Sequence, residues 1–270
     1  MSERFQANWL DLREAADHRA RAREPLARLR AWAAEKSRLR ILDLGAGTGS
    51  NLRFLAPRLG VPQHWTLLDH DADLLAQVRP PETADTVTWI PVRTDLAQWR
   101  EAAGAGGADV VTASALIDLV SESWLRSLAA GCAELGAAVH IVLSYDGTVQ
   151  WSEADPLDAE VLATVNAHQE RDKGLGSALG PHATERLAHV LEARGYRVWT
   201  AASPWGLGSE SAPLAEQLIA GWVQAAGEQD PSRADPYREW GARRLSDLVS
   251  GRTTIRVGHR DLLALPEPAG

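Results

Sequence analysis

Three glycines, Gly45, Gly47 and Gly49, stand at alternate positions directly behind an acidic residue, Asp43, in the stretch DLGAGTGS. A glycine-rich turn after a strand lets the backbone come close to a ligand, and the carboxyl edge of a parallel sheet is where nucleotide-like ligands are held. The spacing narrows the choice. A dinucleotide loop reads Gly-x-Gly-x-x-Gly, with its third glycine at the start of a helix whose amide end faces a pyrophosphate. Here Ser50 stands where that third glycine belongs, and Asp43 sits where a phosphate would be repelled and a cation welcomed.

The flanking pattern supplies the elements that must position this loop. Residues 8–35 read as two helices, with Trp9, Leu12, Ala16 and Ala20 at helical spacing and Pro25 able to start the second. From Leu39, short apolar runs alternate with amphipathic segments, which predicts a parallel sheet wrapped by helices. The strands are LRILDL, HWTLLD, TVTWIPV, ADVVTAS and AAVHIVLS; a helix from Asp71 to Pro80, a short helix after Asp95 and a helix capped by Ser121 lie between them. After Ser144 the alternation breaks. A helix over 158–171, the glycine-rich KGLGSALG and a helix over 184–194 precede a sixth strand, YRVWTAA; two helices near 213–226 and 236–250 precede a seventh, TTIRVGHRDLLAL. The expected fold is α/β: a Rossmann-like, seven-stranded, mostly parallel sheet with helices on both faces, plus a helical cap. The expected organisation is an N-terminal helical cap segment over 1–38 and a core over 39–270, with lid insertions at about 148–182 and 205–252.

Composition bounds the partners. The 270 residues are 45% hydrophobic and 24% charged, and no apolar run reaches the roughly 20 residues that a membrane span needs. A net charge of -8 argues against a broad basic footprint for nucleic acid. The one cysteine, Cys132, falls on the apolar stripe of a predicted helix, so neither a disulfide framework nor a thiolate metal cluster is expected, and the eight histidines are dispersed. A cytoplasmic protein acting on a small molecule, with no metal, is the expectation.

The motif DLGAGTG resembles the first motif of the class I S-adenosylmethionine-dependent methyltransferases, acid-x-Gly-x-Gly-x-Gly. The resemblance implies S-adenosyl-L-methionine as cofactor, with Gly45, Ala46 and Gly47 lining it and Asp43 orienting its amino end. It further implies that Asp69, at the end of the second strand, binds both ribose hydroxyls and that His70 lies against the adenine. Asp95 and Leu96 would meet the adenine edge, and backbone from Ala113 and Ser114 would pass beneath the cofactor toward the acceptor. Asp71 is read as a helix cap. The resemblance covers about 39–144 and the pattern of 184–200. The Asn or Asp, two prolines and aromatic found in enzymes that methylate base amino groups are absent after the fourth strand.

Methyl transfer from a sulfonium is an in-line displacement, so the protein supplies alignment, desolvation and sometimes a base. Candidate bases are Tyr145 and Asp146 after strand five, also readable as a turn because Asp-Gly is strong turn chemistry, and His168, which continues the helical stripe Val161, Val165. Trp9, Arg13 and Arg21 offer a second wall, with an arginine available for a carboxylate, but most of this arginine-rich run reads as a solvated charged face. Trp151 and Trp205 are candidates for an aromatic wall, whereas Trp124, Trp222 and Trp240 read as core. The leading expectation is methylation of oxygen or nitrogen in a small metabolite. The alternative is a catalytically silent cofactor-binding scaffold or regulatory protein; a nicotinamide-dependent oxidoreductase is disfavoured by Ser50 and Asp43.

Overall fold

The computed structural model describes residues 7–81, 86–102, 107–172 and 174–267. Two helices, α1 (Ala7–Ala20) and α2 (Arg23–Ala33), precede the sheet. Strand β1 (Leu39–Leu44) is buried except at Arg40, because a parallel strand in mid-sheet is covered on both faces. It is followed by α3 (Ser50–Leu59), β2 (Gln63–Asp69), a single turn α4 (Ala72–Leu75), β3 (Val87–Arg93), α5 (Trp99–Ala102) and β4 (Val110–Ser114). Next come α6 (Glu122–Leu135), β5 (Ala138–Trp151), α7 (Asp158–Gln169), α8 (Ala183–Glu192), β6 (Tyr196–Ala202) and β7 (Trp205–Leu207). The chain ends in α9 (Ala212–Gln229), α10 (Ala234–Val249) and β8 (Ile255–Pro266).

The strand order is β3-β2-β1-β4-β5-β8-β6, with β7 paired to β8. β1 to β5 run parallel, and β8 runs antiparallel to β5, β6 and β7. Beside β1 the connections reverse direction, which opens a crevice at the carboxyl ends of β1 and β4. Alternation along the strands feeds two cores. Leu39 and Ile41 pack with α2 and α3, while Leu42 and Leu44 pack with α6 and α8. Cys132 is in the second of these, its thiol pushed up to about 12 by burial.

A third core, built from α1, α7, α9, α10, β7 and the start of β8, forms the helical cap. Its helices cross closely at Gly241, where a Cβ would stand 2.5 Å from Val223 Cγ2.

Three expectations need correction. The helix read from Asp71 to Pro80 is the single turn α4, capped as expected by Asp71 Oδ1, which accepts from the amides of Asp73 and Leu74. Strand five does not stop at Ser144, because β8 is long enough to keep pairing it through Trp151, with register shifts after Ile141 and Tyr145. The Asp-Gly signal marks a bulge inside the strand. Gly147 has φ 82°, and Asp146 Oδ1 accepts from both the amide and the hydroxyl of Thr148. The sheet has eight strands where seven were expected, because the three-residue β7 is too short to show a period.

Candidate active site

Gly45, Gly47 and Gly49 have φ of 66°, 53° and 82°, a region that side chains disfavour, so the loop can turn sharply between β1 and α3. A Cβ on Gly47 would also stand 3.0 Å from Leu10 Cδ1 of α1. Asp69 fixes the loop. Its Oδ2 accepts from the Gly47 amide at 2.8 Å and its Oδ1 from the Asp71 amide at 2.9 Å. A carboxylate has about four acceptor positions, so each oxygen keeps capacity for a ligand hydroxyl.

A cavity of about 270 Å³ opens above this loop. Gly45, Ala46, Gly47, Asp69, His70, Asp95, Leu96 and Ser114 line it, and α1 adds Leu10, Arg13 and Asp17. Asp95 does two jobs: it borders the cavity, and its Oδ1 accepts from the Ala97 amide as a cap. The donor set fits a nucleoside with paired hydroxyls and a cationic centre, which is what S-adenosyl-L-methionine presents.

Asp43 and Ala113 are placed behind the cavity wall, both fully buried. Asp43 Oδ1 accepts from Asn51 Nδ2 at 2.9 Å, and Asn51 Oδ1 accepts from Arg21 Nη1 at 3.0 Å. Burial raises the Asp43 carboxyl to about 7, against the Asn51 hydrogen bond and the Arg21 charge, with nearby Asp69 adding to the rise. Asp43 therefore props the loop from below, without touching the cavity.

A second chamber, of about 160 Å³, adjoins the first and shares Arg13, Ala115 and Leu119 with it. Its walls combine the rings of Trp9, Tyr145, Trp205, Trp222 and His259 with the polar side chains of Asp118 and Gln169. Trp9 meets Trp205 edge-on at 6.4 Å, and Trp205 lies 4.9 Å from the His259 ring. The Arg13 guanidinium sits 5.9 Å from the Trp9 ring and 5.1 Å from that of Trp205. Asp17 organises this wall by accepting from Arg13 Nε at 2.9 Å and from Trp205 Nε1 at 2.9 Å. His259 is 5% exposed, and its Nδ1 has no hydrogen-bond partner among the described residues. Burial, reinforced by the charge of Arg13 and opposed by the Val257 carbonyl, lowers its pKa to about 3.

Of the three candidate bases, the structure brings only Tyr145 to a cavity. Its hydroxyl donates to Asn166 Oδ1 at 2.9 Å, and burial followed by the charges of Asp146 and Asp118 raises its pKa. Asp146 is spent on the bulge. His168 faces α9, where Nε2 meets Glu228 Oε2 at 3.0 Å, and it borders neither cavity. Trp205 joins the aromatic wall as expected, but Trp151 packs edge-on against Trp222 and Trp240 beneath the cap. Sequence reasoning missed His259; Trp222 is in the third core, as expected, and also borders the chamber. The signal for His259 was present, since Ile255, Val257 and His259 share one face of β8 by period two.

Residues 41–136 match the family model described as a methyltransferase domain. Among curated proteins, none matches the chain. A cyclopropane-fatty-acyl-phospholipid synthase-like protein from Lactobacillus casei is similar in structure, with 16% identity and a TM-score of 0.55 over 97% of this chain and 94% of that one. An S-adenosyl-L-homocysteine complex of a methyltransferase from Geobacter sulfurreducens gives 19% identity and 0.46 over 97% and 99%. Residues 41–136 therefore match a methyltransferase domain, and the chain has a Rossmann-like methyltransferase fold.

Proposed function

We propose that this protein transfers a methyl group from S-adenosyl-L-methionine to an oxygen or nitrogen of a small molecule held in the aromatic chamber. The observation that carries this reading is the pair of adjoining cavities with Arg13, Ala115 and Leu119 in common. A nucleophile in one can then reach a methyl group in the other at the roughly 3 to 3.5 Å that displacement requires. The bound cofactor supplies an activated methyl on sulfur. The chain's own part is positional: Asp69 holds the hydroxyl pair, the glycine loop admits the ligand, and the tryptophans exclude water from the acceptor side.

The chamber's size bears on the acceptor. A cavity of about 150 Å³ takes up benzene in an engineered protein, so about 160 Å³ has room for one ring. Incubation with methyl-labelled cofactor and a metabolite extract tests the proposal. Label should pass to a compound of low molecular weight; label found only in macromolecules or lipid would end it.

A further inference from the structure

Resting on the reading of the chamber as the acceptor site, we propose that the acceptor is a single-ring aromatic carboxylate, held by Arg13 and methylated on a carboxylate oxygen.

Arg13 stands against Trp9 and Trp205, and the ring of Trp205 meets that of His259. Tyr145, whose ring lies 6.3 Å from that of His259, feels the charges of Asp146 and Asp118. Arg13 engages Asp17 through Nε and Nη2 at 2.9 and 3.3 Å. That leaves further N–H donors of the guanidinium for a ligand anion, and Asp17 holds the group still enough to present them. His259 lines the same chamber, but its ring is neutral and donates to the Val257 carbonyl, so it serves as a wall and not as a second contact for the anion. The planar walls suit a ring, and the volume has room for one.

The reacting atom follows from position and proton accounting. Arg13 borders both cavities, so an anion on its guanidinium lies at their junction. A phenol would have to lose a proton to a base at that place. Tyr145 is committed to Asn166, Asp146 and His168 lie outside, His259 is held neutral, and Asp118 borders this chamber but not the first cavity, so it stands away from their junction. A carboxylate needs no base. Its oxygen lone pair forms the new O–CH₃ bond, the electron pair of the broken S–CH₃ bond stays on sulfur, and no proton moves. Anion and sulfonium become ester and thioether, so opposite charges cancel where water is excluded.

Two measurements test the class of acceptor. With S-adenosyl-L-homocysteine bound, tryptophan fluorescence should report benzoate binding at least about tenfold tighter than benzyl alcohol or benzylamine, as a charge-assisted pair predicts. Arg13→Gln should bring the benzoate to benzyl alcohol ratio to within about threefold, an internal ratio that a general loss of folding or cofactor affinity leaves alone. Benzylamine binding as tightly as benzoate would overturn the carboxylate assignment while leaving the chamber an acceptor site. The labelled product from the metabolite extract should release labelled methanol in mild alkali, as methyl esters do. Alkali-stable label, the mark of an ether or amine, would overturn this inference, and no labelled small molecule at all would overturn the proposed function with it.

Discussion

Replacing Asp43 by asparagine should change how stability depends on pH. Asp43 is 1% exposed, its Oδ2 has no partner among the described residues, and its carboxyl is raised from 3.8 to about 7. A carboxyl whose pKa is higher in the folded chain than in the unfolded one favours folding at low pH. That advantage is whole below the unfolded value and is lost as pH climbs to the folded value. Between pH 5 and about 7 the unfolded chain is ionised at this residue and the folded one is not, so two units at 1.36 kcal/mol give about 2.7 kcal/mol lost by the wild type. The amide introduced by Asp43→Asn does not titrate, and its oxygen can still accept from Asn51. Urea unfolding of both proteins at pH 5 and pH 8, without ligand, should therefore show the variant gaining on the wild type by about 2 to 3 kcal/mol over that span. Curves that stay parallel would show that Asp43 is ionised in the folded protein, with Arg21 and Asn51 outweighing its burial.

Three further outcomes follow from named contacts. Asp69→Ala removes the acceptor for the Gly47 amide and the proposed ribose ligand, and should weaken S-adenosyl-L-homocysteine binding at least about tenfold by calorimetry, at roughly 1.5 to 3 kcal/mol per charged hydrogen bond. His168→Ala should leave the methyl-transfer rate unchanged and shift stability by less than about 1 kcal/mol, because its partner Glu228 is half exposed on α9 and neither borders a cavity. Gly241→Ala drives a methyl group into Val223 and should lower stability in urea by about 1 to 3 kcal/mol, with the spectroscopic change centred on the cap.

The donor side of this molecule was legible because its requirements are local. A left-handed turn needs Gly45, Gly47 and Gly49 in order, and a strand-end carboxylate needs Asp69 where the apolar run stops. The acceptor side was less legible, because its walls come from α1, β5, β7, α9 and β8, far apart in sequence. Arg13 and Trp205 stack on each other and share Asp17 as acceptor, and nothing local to either marks that meeting. His168 misled because helical periodicity gives the inward face of α7 but not its neighbour, and that neighbour is Glu228 on α9. Asp146 misled for a related reason: turn chemistry is the same in a hairpin and in a bulge, and only the length of β8 decides between them.

A crystal structure with S-adenosyl-L-homocysteine bound tests the central claim most directly. The ribose should lie on Asp69, the adenine beside Asp95 and Leu96, and the sulfur at the junction marked by Arg13, Ala115 and Leu119, facing the aromatic chamber. A sulfur directed away from that junction, with Trp9, Trp205 and His259 walled off from it, would contradict the account.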